Sequence, residues 1–434
     1  MRKVKGVRWW IITLIGIATI INYIDRNSLT VMWSNISVDL DLKKDQLAMI
    51  ISAFMIAYAV GQGVSGKFFD WMGTRISFVI TIVLWSVSCG LHSLARGLVS
   101  FSVVRAMLGF SEAGNWPGAT KSNAEWFPAT ERALAQGIFN AGASLGAVLS
   151  APVIAGLYLL VGWRLTFILV GALGLLWVIP WLLINRAKPE EHPWLTEEER
   201  EHILGGRSAA GSGASPGQDR ALTVRELLSY RQSWSVIASR FFIDPIWWLF
   251  VNWLPIYLAE QFGFDIKQIG LFGWVPYVGA AAGSLSGGWF SGYMIKRGWS
   301  VNRSRKWAIV IGGAIMCPLL VLSAFAAEPL MAVLLIAVAL FGYQIVINNI
   351  QTLPSDFFSG KSVGTLAGLG GTSAVAGVLI TTWMVPVITS VDYVLFFFLA
   401  ALLVPLGTAM VFIFSGNITR LALPSPSHER GQHA

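Results

Sequence analysis

Long apolar runs and short polar breaks alternate from residue 9 to residue 415, and this pattern leaves few options for the fold. A run of about 18 to 25 apolar residues matches a helix that crosses the hydrocarbon of a bilayer. Inside that layer each backbone N–H and C=O needs a partner within its own segment, so the runs are expected to be helices. They fall at 9–33, 46–66, 76–95, 98–118, 134–159 and 163–185, then at 235–260, 267–294, 307–327, 329–353, 363–387 and 391–415. A 434-residue chain that is 55% hydrophobic and 12% charged is too apolar for a soluble domain of its length. The expected class is an all-α membrane protein with twelve transmembrane helices in two six-helix bundles.

The formal charge of +8 would suit a nucleic-acid ligand only if the basic residues formed a patch, and they do not. They mark one side of a membrane. With a cytoplasmic N-terminus, the inner segments hold Arg2, Lys3, Lys5, Arg8, Lys67, Arg75, Lys121, Arg132, the central-loop cations, Lys296, Arg297, Arg303, Arg305, Lys306, Lys361, Arg420 and Arg430. The outer segments hold Lys43, Lys44, Arg96, Arg164 and Lys267. Both termini are therefore expected inside. The basic start at Met1–Lys5 is like that of a signal peptide, but no small-residue cleavage pattern follows, so the first run reads as a span.

The expected division is a first bundle at 1–185, a cytoplasmic linker at 186–234, a second bundle at 235–416 and a cytoplasmic tail at 417–434. The linker holds a flexible Gly211–Gly217 stretch and two expected capping boxes, Thr196 with Glu199 and Thr223 with Glu226. Two six-span halves joined by an inner loop suggest bundles related by an axis along the membrane normal, with a binding site at mid-depth between them. Cys89 and Cys317 lie inside apolar runs and read as small core residues rather than a disulfide or metal pair.

Arg26, Arg105 and Arg240 are the cations assigned to neither side. Asn22-Tyr23-Ile24-Asp25-Arg26 sits near the middle of the first span, where each charge costs roughly 2.5 to 3.5 kcal/mol. Neighbouring helix residues point about 100° apart, so Asp25 and Arg26 each need another partner. Arg26 is the candidate for receiving an anion and Asp25 for handling a proton; the alternative is a buried ion pair that only fixes packing. Arg105 and Glu112 are seven residues apart in span 4, on one helix face but about 10.5 Å apart along the axis. They either meet through extended side chains or each meets another group. Glu112 is the second intramembrane carboxylate, and with the histidines in loops, the tail or near an outer end, proton coupling falls to Asp25 and Glu112, tuned by Arg105.

Tyr23 and Tyr58 place hydroxyls near the same depth. Arg240 and Asp244, four apart in span 7, can pair as a structural or gating unit, and Trp247 follows them. Span 10 carries Tyr343, Gln344, Asn348, Asn349 and Gln351, and span 11 carries Thr372 and Ser373. Amides donate and accept together, which suits sugar hydroxyls as well as helix–helix bonds. Asn140, in a Gly/Ala/Ser-rich stretch of span 5 suited to close packing, joins the candidate contacts.

Gly66-Lys67-Phe68-Phe69-Asp70-Trp71-Met72-Gly73-Thr74-Arg75 resembles the G-x-x-x-D-x-x-G-x-[RK] motif of the major facilitator superfamily, in the loop where that family carries it. In such a latch Gly66 and Gly73 allow close approach, Asp70 meets a helix N-terminus and Arg75 a carboxylate. Arg105 to Pro117, with Trp126-Phe127-Pro128 and Glu131-Arg132, resembles the anion:cation symporter family within it, and Met1 to Trp9 with Arg240 to Trp248 looks like its hexuronate branch. The resemblance implies proton-coupled uptake of a hexuronate, galacturonate or glucuronate, as a monomer in the bacterial inner membrane, with no cofactor or metal. It also places Tyr23 and Tyr58 at the substrate site. Aldonate carriers can have a glutamine where this chain has Ala143, which tilts the expectation from aldonates to hexuronates. The Asp of the Asp-Arg pair is not constant among hexuronate carriers, leaving Asp25 either coupling or auxiliary. An aldonate or other organic anion, including a dicarboxylate, is the alternative substrate. A membrane enzyme would need a catalytic set that the chain lacks, and a transporter-like sensor would need a signalling domain larger than its linker or tail.

Overall fold

The computed structural model describes residues 3–209, 221–264, 268, 271–358, 362–389 and 392–421. The Gly211–Gly217 stretch, Lys267, Lys361 and the tail beyond 421, with Arg430, lie outside the described residues. The described chain is nearly all helix: α1 (Val7–Asp39), α2 (Lys44–Met72), α3 (Thr74–Leu91), α4 (Leu98–Glu112), α5 (Asn115–Trp126), α6 (Ala129–Ile184), α7 (Glu197–Ala209) and α8 (Val224–Ser229) come first. Then follow α9 (Arg231–Phe262), α10 (Val275–Lys296), α11 (Val301–Ser323), α12 (Pro329–Phe357), α13 (Val363–Thr389) and α14 (Tyr393–Ser415).

Among the described residues, ten segments are long and apolar enough to cross a membrane. Two of them lie in α6, which reverses at Gly162 (φ 74°, ψ 172°), a conformation open to glycine. Arg164 and Trp163, just past this turn, donate to Asp39 at the end of α1 (2.6 and 3.1 Å), and the Arg164 bond holds the Asp39 carboxyl below its ordinary range. The two remaining crossings depart from a simple apolar run. The fourth is α4 followed by α5, broken at Ala113–Gly114 because Pro117 has no N–H to offer the Ala113 carbonyl. The eighth, α10, is diluted by Gly and Ser. These bring the total to the expected twelve.

The buried apolar side chains fall into two main clusters. One is built from α1 to α7 and includes Ile11, Phe78, Trp85, Phe139 and Ile203; the other is built from α8 onwards and includes Leu227, Phe250, Leu340 and Phe396. Val375 and Val378 of α13 pack with the first cluster and so stitch the halves together. Large apolar side chains such as Val99, Leu159 and Trp383 point outward, as a lipid-facing surface requires.

The helix ends near Gly6, Gly73, Pro128, Asn185 and Phe358 share one side of the bundle, called the terminal face below. The expected Thr223–Glu226 box caps α8 reciprocally. The Thr196–Glu199 box is only half formed. Thr196 caps the Glu199 N–H (3.2 Å), but the Glu199 carboxylate turns to α1 instead, accepting from the Gly6 and Val7 amides (2.8 and 3.3 Å) and from Arg8 Nη1 (2.8 Å). The unpartnered amides opening α1 and a guanidinium together outbid one backbone N–H.

Candidate functional site

A small cavity of about 50 Å³ lies between the halves near mid-depth. Tyr23, Tyr58, Gln62, Trp116, Asn140 and Ala143 line it from the first half, and Arg240, Asp244, Trp247, Trp248, Gln344 and Gln351 are among its lining residues from the second. Trp247 stacks on Tyr343 (centroids 5.9 Å apart) and meets Tyr277 edge-on (5.6 Å), so the second-half wall is a rigid aromatic surface set with amides. Such a volume holds a few waters.

Behind the first-half wall lies a cluster of buried charges. Arg26 donates from Nε and Nη2 to Glu112 Oε2 (3.1 and 3.0 Å) and from Nη2 to Asn22 (3.3 Å). Its guanidinium is ringed by Tyr23, Phe54, Tyr58 and Trp248, with centroids 5.3, 5.1, 4.9 and 5.5 Å from the central carbon. Three of those four rings line the cavity, so Arg26 stands one aromatic layer behind it. Arg105 donates to the Arg26 carbonyl (2.6 Å) and packs over Phe54 (5.0 Å). Of the two options left by its spacing from Glu112, each residue therefore meets another group. Asp25 is fully buried, with Glu112, the Cys89 thiol and Arg105 as its electrostatic neighbours. Asp25, Arg26 and Glu112 are not among the cavity's lining residues; the Tyr23, Tyr58 and Trp248 rings stand between it and Arg26, which is bonded to Glu112.

The terminal side of the cavity is closed by amides and ion pairs. Asn140 donates to Gln351 (2.8 Å) and to Asn348, Gln136 donates to Gln351 (2.9 Å), and Asn348 bonds Ser284. Asn348, between the lining residues Gln344 and Gln351 along α12, turns to Asn140 and Ser284 instead of the cavity, and the Asn349 amide bonds the Ile345 carbonyl of its own helix. Thr372 donates to the Ala59 carbonyl of α2 (3.0 Å), so its hydroxyl joins helices instead of lining the cavity. Arg240 and Asp244 pair as their spacing suggests, and both line the cavity.

Nearer the terminal face, Asp70 accepts from the Gly364 and Thr365 amides (3.0 and 2.6 Å), the Thr365 hydroxyl (2.6 Å) and Lys121 (2.9 Å). The carboxylate therefore sits at the N-terminus of α13, where the helix dipole favours it. Arg75 does not meet a carboxylate: it donates to the Asn185 carbonyl (2.7 Å), because the sixth span ends beside it. Gly73 makes the turn into α3 at φ 79°. A Cβ on Gly66 would lie 2.3 Å from the Gly364 carbonyl oxygen, so only glycine lets α2 and α13 close here. Gly66→Val is expected to slow turnover at least roughly tenfold while the protein still folds; its melting temperature in detergent and its exchange rate in liposomes check both halves of that statement.

A second buried ion-pair cluster joins Arg132 and Arg305 to Asp356 (3.1 and 2.9 Å), with Arg305 also donating to the Ala129 carbonyl (3.0 Å). Both arginines fall among the inner-segment charges of the sequence, yet they are buried. Asp356 offered no signal beyond being an acid at the end of an apolar run. Gln62, Trp116 and Trp248 were also missed as wall residues, since an amide or indole in a span does not reveal which way it faces.

A family model described as the Major Facilitator Superfamily matches residues 15–382. The chain is 34% identical over 376 residues to the hexuronate transporter of Escherichia coli (strain K12), covering 86% of each chain. It is 32% identical over 318 residues to the galacturonate transporter of Dickeya chrysanthemi, covering 73% of this chain and 91% of that one. It is 32% identical over 355 residues to a probable galactarate/D-glucarate transporter of Escherichia coli (strain K12), covering 78% and 79%. Among solved structures, the proton:xylose symporter XylE superposes with a TM-score of 0.71 at 15% identity over 95% of this chain and 97% of that one, a likeness of fold. The twelve crossings, the latch motif at 66–75 and these matches agree: the chain belongs to the Major Facilitator Superfamily and is a multi-pass membrane transporter, not an enzyme.

Proposed function

We propose that this transporter carries a hexuronate, galacturonate or glucuronate, into the cell together with protons. The observation that supports this most is the place of Arg26, bonded on one side to Glu112 and capped on the other by cavity rings. A substrate carboxylate arriving from the cavity competes with Glu112 for the same guanidinium fork. Glu112, once displaced, accepts a proton, with Asp25 beside it as the second acceptor, so substrate and proton enter as a pair. Arg105 holds the backbone of Arg26 and biases both carboxylates. Tyr23, Tyr58, Asn140 and Gln344, with Trp247 as a stacking surface, hold the sugar; Asn348, Asn349 and Thr372 support that wall from behind.

In this reading the terminal face is cytoplasmic and both termini lie inside, in the bacterial inner membrane. The halves 1–185 and 235–416 move as two bodies around the site, coupled by the linker 186–234, with 417–434 as a tail, and the transporter works as a monomer. Asp70 with Gly66, Gly73 and Arg75, and Asp356 with Arg132 and Arg305, release when the inner side opens. Relatives that carry sugar acids over most of the chain's length support the substrate class.

Uptake of labelled galacturonate, glucuronate and galactonate into proteoliposomes with an imposed pH gradient tests the proposal. Gradient-driven accumulation of the hexuronates is expected. No accumulation of any sugar acid overturns the substrate, and accumulation indifferent to the gradient overturns the coupling.

A further inference from the structure

The cavity wall itself holds a cation, Arg240, with no task in the scheme above. Arg240 donates from Nε to Asp244 Oδ2 (3.2 Å), from Nη2 to Oδ1 (2.8 Å) and from Nη1 to the Ala367 carbonyl (3.3 Å). Both side chains are buried and both line the central cavity. The two-pronged geometry is the one a ligand carboxylate would adopt on a free guanidinium. Asp244 already fills it.

We propose that Asp244 is a specificity-determining residue: it acts as a built-in carboxylate that occupies Arg240, and so makes the transporter select sugar acids with one carboxylate over those with two. The proposal rests on the sugar-acid reading given above. A ligand whose first carboxylate goes to Arg26 reaches along the cavity towards α9. If its far end is an aldehyde or a hydroxyl, it can bond the Arg240–Asp244 pair, Tyr343 or Gln344 without penalty. If its far end is a second carboxylate, it faces Asp244 in a confined, poorly hydrated space while the guanidinium is already engaged. Like charges so placed repel strongly, and this is discrimination through a repulsive element as much as an attractive one. With the Asp244 charge removed, Arg240 becomes a free fork that a second carboxylate fits.

The test is binding of D-glucuronate and D-glucarate, which differ by an aldehyde or a carboxylate at C1, to the purified full-length chain in detergent, followed by calorimetry. Wild type is expected to prefer glucuronate by roughly tenfold or more. Asp244→Asn should bring the ratio to one or reverse it, by strengthening glucarate binding. Asp244→Glu should keep the wild-type preference, and the Arg240→Ala/Asp244→Asn double variant should lose the gain. Wild type binding both acids equally, an unchanged ratio in Asp244→Asn, or a gain that survives without Arg240 would each overturn the proposal, with the sugar-acid reading intact. Wild type binding neither acid overturns that reading, and this proposal with it. If Asp244→Asn does not fold, the wild-type ratio and the Asp244→Glu variant still decide.

Discussion

Arg26→Ala is expected to weaken binding of the proposed hexuronate substrate by more than about 100-fold, on the scale of roughly 3 to 5 kcal/mol for removing one partner of a buried ion pair. Two effects combine. The ligand loses its guanidinium fork, and Glu112 is left buried without its 3.0 Å partner. They can be separated. In Arg26→Ala/Glu112→Gln the stranded charge is gone, so thermal stability should recover while binding does not. Arg26→Lys keeps a charge but loses the planar fork and its stacking among four rings, and should bind weakly rather than not at all. Binding followed by calorimetry and melting followed by intrinsic fluorescence make the comparison. Wild-type affinity in Arg26→Ala would move the anion site elsewhere, with Arg240 as the next candidate.

Glu112→Gln separates transport from coupling. The amide preserves the shape of the side chain and can still meet Arg26, but it cannot exchange a proton. Counterflow of labelled for unlabelled hexuronate should persist, while accumulation against a gradient should vanish. For one proton per anion, a gradient of one pH unit supports about tenfold accumulation in the wild type; in the variant the internal and external concentrations should become equal. Asp25→Asn serves as the comparison, because Asp25 is a second fully buried carboxylate in the same cluster, beside Glu112. Normal accumulation in Glu112→Gln together with its loss in Asp25→Asn would transfer the coupling to Asp25.

These experiments bear on a cluster whose members could be named before any coordinates, but whose pairing could not. Asp25, Arg26, Arg105 and Glu112 stand out in the sequence because charge is costly in an apolar run. Helical geometry ruled out some pairs within a span and was silent about pairs between spans. The Arg26–Glu112 bond joins residues 86 apart in the chain, and nothing local specifies it. Arg240 and Asp244 are the opposite case: four apart on one helix, they pair as spacing alone allows. Even there, their place on the cavity wall depends on how α9 is rotated against its neighbours.

The span-10 amides show the same limit. Their number implies a polar environment, yet Gln344 and Gln351 reach the cavity, Asn348 bonds across the halves to Asn140, and Asn349 bonds its own backbone. Identical chemistry takes different roles because a rotation of about 100° per residue sends successive amides in different directions.

From the residue order alone came the twelve crossings, their division by a polar linker and the expensive charges, since each follows from the energetics of a single segment in lipid, while the motif at 66–75 stood out by its resemblance to a family pattern. Which charge meets which, which amides face the cavity, and the burial of Arg132, Arg305 and Asp356 as one unit belong to the tertiary structure. Those are contacts between segments far apart in the chain, and they are set by the rotation and depth at which whole helices pack.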